Sequence, residues 1–143
     1  EFYGLGINGK ISELQAAMGL AVLPYIDKIL IARKKIVAFY EENILSNSIR
    51  KMKIREYTNW NYSYYPIIFE SESLLKNTVQ KLNSNNIFPR RYFYPSLNTL
   101  PYVKRVQMPI SDSVTKRILC LPIYMGLDDD NLKLITKTIN SGC

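Results

Sequence analysis

A long helical pattern near the start of the chain constrains the fold more than any other feature. From Ser12 to about Leu45 the apolar residues recur with helical spacing. In the first part, Ala16–Leu23, nearly every side of the predicted helix is apolar, and a helix of that kind is normally buried on all sides. Pro24 lacks a backbone N–H and crowds the preceding turn, so it predicts a kink or break. A small sheet cannot cover such a helix, and we expect Ala16–Leu23 to lie at an interface.

The glycines that precede this helix have a spacing close to that of a phosphate-binding P-loop. A P-loop needs Ser or Thr directly after its lysine, but Ile11 follows Lys10. Ser12 and Gln15 have the spacing of a capping box, which predicts the helix start at this point. Asn8 and Lys10 come just before the positive end of the helix, where an anion is favoured. A plain glycine turn with a solvated lysine explains the same residues equally well.

The remainder of the chain alternates between strand and helix patterns. The predicted strands are 59–69, an extended segment at 85–95, and 118–124, and the predicted helices are 71–85, 111–117 and 125–140. Pro66 predicts an edge strand or a bulge, because proline cannot donate to a sheet ladder. Ser111 is the expected cap of the short helix. The order predicts an α+β domain with a long kinked N-terminal helix and a small, mainly antiparallel sheet with helices on one face.

Composition excludes several kinds of chemistry. The chain has 143 residues, one domain's worth, and no histidine. This removes histidine general bases, Ser-His-Asp systems and most zinc sites, so no catalytic residue and no metal site is predicted. The two cysteines, Cys120 and Cys143, do not make a disulfide framework. We expect Cys120, Trp60 and Met18 in the core, and no membrane span, because the apolar run is shorter than the about 20 residues that a bilayer requires.

A net charge of +7 suggests binding of nucleic acid or of another anion. The positive residues form three clusters, at 33–35, 50–55 and 90–91. The third cluster runs directly into Tyr92 and Tyr94, and such a mixture can stack on bases or hold a sugar nucleotide. Both tyrosines could equally pack against a sheet, and Arg91 could form a surface ion pair.

Three blocks of the chain resemble the DegT/DnrJ/StrS sugar aminotransferases. The segment GINGKISELQAAMGL is similar to the family pattern G-x-N-x-R-M-x-E-L-Q-A-A. RRYFYPSLNTLPYV (90–103) and SDSVTKRILCLPIYMGL (111–127) are similar to two later family blocks in the same order. The resemblance covers essentially all of the chain. It implies that residues 1–143, with the linking helix 12–45, are the C-terminal small domain of a fold-type-I pyridoxal-phosphate enzyme.

Enzymes of this family use pyridoxal 5'-phosphate to transfer an amino group, usually from glutamate, to a ketone on a nucleotide-linked sugar, and they act as homodimers. The YFYP block resembles members that act on thymidine-diphosphate keto-6-deoxy sugars. We therefore expect an amino sugar for surface polysaccharide, such as lipopolysaccharide O-antigen, or a related glycoside, made in the cytoplasm. In such enzymes the cofactor-binding lysine lies upstream of the region matched here. We expect this chain to be a fragment without the large domain and inactive by itself.

The resemblance also implies binding residues. The Asn that matches Asn8 reaches across the dimer to the cofactor phosphate held by the partner subunit. Lys10 stands where the family commonly has Arg, which keeps the charge but loses the bidentate fork. The candidate substrate contacts are Arg91, Tyr92, Tyr94 and Asn98. Asn98 lies near the position where a His is often found.

Two other functions remain compatible with the residues. A basic nucleic-acid-binding domain would use Arg90, Arg91 and the nearby tyrosines, and its affinity would fall steeply with salt. A protein-interaction module would dock its apolar helix on a partner and would associate without a small-molecule ligand.

Overall fold

The computed structural model describes residues 9–142. The elements are α1 (Glu13–Val22), a 3-10 turn (Leu23–Tyr25), α2 (Ile26–Asn43), β1 (Ile49–Lys51), β2 (Tyr65–Phe69), α3 (Glu72–Asn83), a second 3-10 turn (Leu97–Thr99), α4 (Pro109–Arg117), β3 (Ile118–Leu121) and α5 (Asp129–Ser141).

Short polar residues begin three of the helices, and the predicted cap at Ser12 is confirmed. Ser12 accepts the Gln15 N–H at 3.3 Å, and Gln15 accepts the Ser12 N–H in return at 2.8 Å, which completes the capping box of α1. Ser71 caps α3 and Asp128 caps α5, each by accepting an N–H from the first turn. These bonds satisfy donors that a helix start leaves without an intrahelical partner.

Prolines set two further helix boundaries. Pro24 lies in the 3-10 turn that separates α1 from α2, so the predicted interruption is confirmed. The predicted cap of α4 is wrong, because the helix begins at Pro109 and Ser111 lies inside it. Proline suits the first position of a helix, since its backbone angle is already helical and its missing N–H is not needed there.

The three strands form an antiparallel sheet in the order β1-β2-β3. The predicted strand at 59–69 is formed only from Tyr65 onward, and β1 has no counterpart among the predicted strands. The extended segment at 85–95 contributes a single bridge, between Arg90 and Cys120 of β3. Arg90 therefore lies at the edge of the sheet opposite to β1.

Pro66 lies in the central strand, so its predicted edge position is wrong. The N–H and C=O of Cys120 bond to the backbone of Arg90, at 2.8 and 3.2 Å. Because both groups point away from β2, Cys120 and Pro66 form a non-hydrogen-bonded pair, and no N–H is needed from Pro66. On the other side of β2 the pairing with β1 begins one residue later, at Ile67.

The helices pack on one face of the sheet, as expected for this α+β domain. Alternate residues of β2, namely Tyr65, Ile67 and Phe69, are fully buried against apolar residues of α2, α3 and α5. The Tyr40 hydroxyl donates to the Pro122 carbonyl at 2.8 Å, and the Tyr65 hydroxyl donates to Glu41 at 2.8 Å. Burial raises the pKa of both tyrosines well above its ordinary value, and the bond to Glu41 adds to the effect at Tyr65.

Helix α1 differs from this core, because none of its residues is buried. Met18, expected in the core, is 63% exposed in the described chain, so that expectation is wrong within this domain. Trp60 is half-buried against the core and Cys120 is buried, as predicted.

The helical stretch Glu13–Asn43 has the length and apolar composition of a membrane-spanning helix. The apolar run Ala16–Leu23 alone is too short for that, but the stretch continues through the 3-10 turn into α2. A helix covered by other protein has the same composition, and the later half of α2 packs on the core through Ile36, Val37 and Tyr40. The apolar composition of α1 therefore indicates that something covers this helix, but it does not identify what covers it.

Candidate substrate and cofactor site

The four predicted substrate contacts lie on one segment, but the structure directs them to different places. After Arg90 the chain leaves the sheet edge and turns, so that the side chains of Arg91, Tyr92, Tyr94 and Asn98 do not share one pocket. Tyr92 lines a cleft beside β3, Tyr94 lines a small polar cleft against α4, and Asn98 lines an apolar cavity.

Arg91 is bound inside the domain. Its Nη2 donates to the Lys116 carbonyl at 2.9 Å, at the C-terminal end of α4, and lies 3.5 Å from the Glu72 carboxylate. Its guanidinium is 3.7 Å from the centre of the Tyr94 ring. The pKa of Glu72 is lowered, first by Lys76 and then by Arg91. Arg91 thus ties α3, α4 and the Tyr94 loop together, and its charge is largely committed to these contacts.

Asn98 is 9% exposed and uses its amide to close a loop. Its Nδ2 donates to the Val106 carbonyl at 2.9 Å, and its Oδ1 accepts the Ser96 hydroxyl. The closed loop and α4 border a cavity of about 710 Å³, the size of a small-molecule pocket. Its walls are mainly apolar, and include Phe93, Leu97, Leu100, Tyr102, Val106 and Met108. Asn98 shapes this cavity with both ends of its amide already bonded.

Tyr92 lies in a second cleft of about 330 Å³, which we call the aromatic cleft and define by Tyr64, Phe88, Arg90, Tyr92 and Tyr124. The Tyr64 and Tyr92 rings meet edge to face with centroids 5.4 Å apart. Arg90 Nη1 donates to the Tyr92 hydroxyl at 2.6 Å, and this contact raises the pKa of Arg90 further above its ordinary value.

Arg90 was predicted as a contact only in the nucleic-acid alternative and was not among the predicted substrate contacts. The sequence signal that could have identified it is the alternation of an extended segment, in which Arg90 and Tyr92 lie on the same side and Arg91 on the other. Cys120 lies between the cleft and the core. Burial raises the pKa of its thiol, although the Tyr92 backbone N–H lowers it in part, and a raised pKa disfavours the reactive thiolate.

The predicted cofactor contacts lie at the other end of the chain. Asn8 is outside the described residues, whereas Lys10 is exposed beside the start of α1. The capping box uses the N–H groups of Ser12 and Gln15, and a helix start leaves further N–H groups for a ligand. An exposed ammonium next to such a helix end fits a phosphate group. Among residues 9–142, no group of His, Cys, Asp and Glu is placed to hold a metal ion.

The chain is similar to sugar aminotransferases over nearly its whole length. It is 36% identical to a dTDP-4-amino-4,6-dideoxy-D-glucose transaminase of Escherichia coli, covering 94% of the chain and 38% of that relative. It is 30% identical to a GDP-perosamine synthase of Vibrio cholerae, again over 94% of the chain and 38% of the relative. The chain thus spans well under half the length of these curated relatives.

The solved structure of the sugar aminotransferase CalS13 from Micromonospora echinospora has the same fold. It superposes with a TM-score of 0.79 at 20% identity, over 92% of this chain and 35% of that one. The model of the DegT/DnrJ/EryC1/StrS aminotransferase family matches residues 2–140. This chain therefore belongs to that family, whose members depend on pyridoxal 5'-phosphate.

Proposed function

We propose that residues 1–143 form the C-terminal small domain of an aminotransferase that converts a nucleotide-linked keto-deoxysugar to an amino sugar. The observation that carries the proposal is the family match over residues 2–140. The identity to a dTDP-linked 4-amino sugar transaminase favours a substrate of the dTDP-keto-6-deoxyhexose type. The proposed amino donor is glutamate, as the family resemblance implies. The products would enter surface polysaccharide, such as O-antigen, or related glycosides.

The exposed helix α1 supports a larger assembly. Its apolar side chains on all sides require cover, and we propose that the large domain and the second subunit of a homodimer provide it. The proposed location is the cytoplasm.

The cofactor supplies an electron sink for chemistry at the carbon that exchanges the amino group. The role proposed for this chain is to hold the cofactor's phosphate through Asn8 and Lys10, at the start of α1. We further propose that the chain alone is inactive, because covalent capture needs a lysine in a shaped, desolvated pocket. Every described lysine is exposed except Lys51, which is half-buried and lies 3.6 Å from the Glu41 carboxylate.

The test compares two proteins. One is the 143-residue chain, and the other is the same chain extended by its upstream coding sequence. Each is incubated with pyridoxal phosphate, glutamate and a dTDP-keto-6-deoxyhexose, and the amino sugar is measured by mass spectrometry. We expect product from the extended protein only. If the extended protein makes no product and binds oligonucleotides in a salt-sensitive way, the aminotransferase proposal is wrong and the nucleic-acid-binding alternative is favoured.

The phosphate contact has its own test in the extended protein. Hydrogen bonds to charged groups contribute about 1.5–3 kcal/mol, so Asn8→Leu should raise the cofactor Kd by roughly ten- to a hundredfold. Asn8→Asp should be worse, because it places a like charge beside a phosphate. Asn47→Leu, at an exposed asparagine in the turn before β1, is the matched control. An unchanged Kd in Asn8→Leu would make Asn8 a turn residue.

A further inference from the structure

We infer that the aromatic cleft binds the nucleoside diphosphate part of the substrate, with Arg90, not Arg91, as the contact for its phosphates. This inference rests on the proposed function and names the place where this domain holds its sugar nucleotide. It depends on three observations in the described chain: exposed aromatic faces around one cleft, a pre-oriented guanidinium beside them, and the absence of a continuous cationic track.

The aromatic side chains come from separate segments and converge on one opening. Tyr64 precedes β2, Phe88 follows α3 and Tyr124 follows β3, and these rings are 55%, 68% and 52% exposed. Exposed aromatic side chains from three segments that line one cleft form a stacking platform, because every base has a flat π-face. The volume of about 330 Å³ lies at the lower end of small-molecule pockets, which suits a nucleoside better than a whole sugar nucleotide.

Arg90 supplies the charge, and a hydrogen bond to Tyr92 orients its guanidinium. The bond from Nη1 to the Tyr92 hydroxyl uses one of the five N–H donors of the guanidinium, and it is the one side-chain hydrogen bond of Arg90 within residues 9–142. The remaining donors can form the bidentate contacts that arginine makes with phosphate. Arg91 is less accessible, since it is half-buried, its Nη2 is bonded to the carbonyls of Thr115 and Lys116 and paired with Glu72, and its guanidinium lies over the Tyr94 ring.

The placement of the other cations favours a single nucleotide over a nucleic-acid strand. Arg50 and Lys51 lie on β1, whereas Arg90 pairs with β3 at the opposite edge of the sheet. The cluster at 33–35 lies on α2. A strand of nucleic acid requires cations that follow its backbone over several phosphates, and these clusters are not aligned in that way.

The apolar cavity beside Asn98 is the weaker candidate for the phosphates. Lys104 is its only cationic lining residue in the described chain, and the amide of Asn98 is bonded at both ends. That cavity could hold an apolar group, but the aromatic cleft is the place where flat rings and a guanidinium occur together.

The experiment titrates the 143-residue chain with dTDP and follows amide chemical shifts by NMR. Thymidine tests the base alone, pyrophosphate tests the charge alone, and a short oligothymidylate tests nucleic acid. We expect dTDP to bind more tightly than thymidine or pyrophosphate and to shift residues around Phe88, Arg90 and Tyr124. Arg90→Gln should weaken dTDP binding by about tenfold or more, and Phe88→Ala by about fivefold or more.

Two variants are controls. Arg50→Gln removes an exposed arginine at the other edge of the sheet, and Tyr25→Ala removes an exposed aromatic side chain in the 3-10 turn between α1 and α2, which does not line the cleft. Both should leave the dTDP Kd within about twofold, a difference that corresponds to under half a kcal/mol. Circular dichroism of each variant checks that the fold is retained.

The outcomes separate this inference from the proposed function. If dTDP binds and Arg90→Gln has the wild-type Kd, the cleft assignment is wrong while the aminotransferase proposal stands. Shifts that map to the cavity beside Asn98 would also overturn the cleft. Oligothymidylate binding with a steep salt dependence, without dTDP binding, would assign the cleft to nucleic acid. Formation of amino sugar by the extended protein tests the aminotransferase proposal separately from the cleft.

Discussion

Helices α1 and α5 are both rich in apolar residues, yet they have opposite environments. In α5 the apolar residues Leu132, Ile135 and Ile139 form one stripe, and all three are buried. In α1 apolar residues occupy almost every side, and none is buried. A helix with one apolar stripe is satisfied by its own domain, whereas a helix that is apolar all round needs protein on all sides. Within one domain, the two patterns distinguish a core helix from a helix prepared for an interface.

The largest expected difference between the two helices is the cost of removing an apolar side chain. Ile135 is fully buried, so Ile135→Ala should lower the free energy of unfolding of the 143-residue chain by about 2–5 kcal/mol. Met18→Ala should change it by less than about 0.5 kcal/mol, because Met18 is 63% exposed. Urea denaturation measures both. A comparable loss in the two variants would show that α1 is packed within the monomer.

The next largest effect concerns association through α1. We expect the 143-residue chain to self-associate at high concentration, since this helix has no cover in the single domain. Leu14→Lys should weaken that association by about tenfold or more, because burying a leucine contributes about 1.5–3 kcal/mol. Leu45→Lys is the matched control, with an exposed fraction of 75% against 73% for Leu14. Sedimentation velocity that shows a strictly monomeric wild type would contradict an interface at α1 in this form of the protein.

The contrast between the helices also shows which features the sequence could predict. Helix starts depend on neighbouring residues, so the cap at Ser12 and the break at Pro24 were predicted from local patterns, and the observed caps at Ser71 and Asp128 are local in the same way. Strand β1 was missed, because it has only three residues, two of them basic, and exists through its pairing with β2. The edge position predicted for Pro66 was wrong for the same reason. The direction of hydrogen bonds within a sheet depends on strands that are distant along the chain.

The candidate site shows the same limit. Four residues of one segment were predicted to act together, but whether a side chain is free depends on residues far along the chain. Arg91 bonds to Lys116 and pairs with Glu72, and Asn98 is bonded to Val106. Of these features, local sequence indicates only that Arg90 and Tyr92 lie on the same side of an extended segment. The assignments of Asn8, Lys10, Arg91, Tyr92, Tyr94 and Asn98 to ligands stay predictions.

A smaller effect is expected from the helix caps, and it differs between an exposed and a packed helix. Loss of a serine cap costs about 0.5–2 kcal/mol. Ser71→Ala should therefore lower the free energy of global unfolding by about 1 kcal/mol, because α3 packs on the core through Leu75 and Leu82. Ser12→Ala should leave global unfolding unchanged and increase only the amide exchange of α1, since a ten-residue helix without buried residues can open locally. Equal effects on urea denaturation would remove the distinction between the two helices.

The smallest effect is a pH dependence at the cap of α5. The backbone N–H of Asn131, with its side chain, lowers the pKa of Asp128 below its ordinary value. A carboxylate with a lowered folded-state pKa stabilises the protein above its unfolded pKa of about 3.9, and that contribution is lost as the pH falls through the folded-state value. Asp128→Asn keeps a good cap residue but removes the charge. The wild type should therefore be slightly more stable than this variant at neutral pH, and the two stabilities should converge in acid.

Asp130→Asn controls for net charge, because it removes a 98% exposed carboxylate from the first turn of the same helix. Urea denaturation at a series of pH values between about 2 and 7 covers the range in which the ordinary carboxyl pKa lies. A difference between wild type and Asp128→Asn that stays constant over this range would show that the charge at the cap is irrelevant. The cap of α5 reports on global unfolding, because α5 is buried in the core. A titrating group at the start of α1 would affect only the local opening of that helix until its interface is formed.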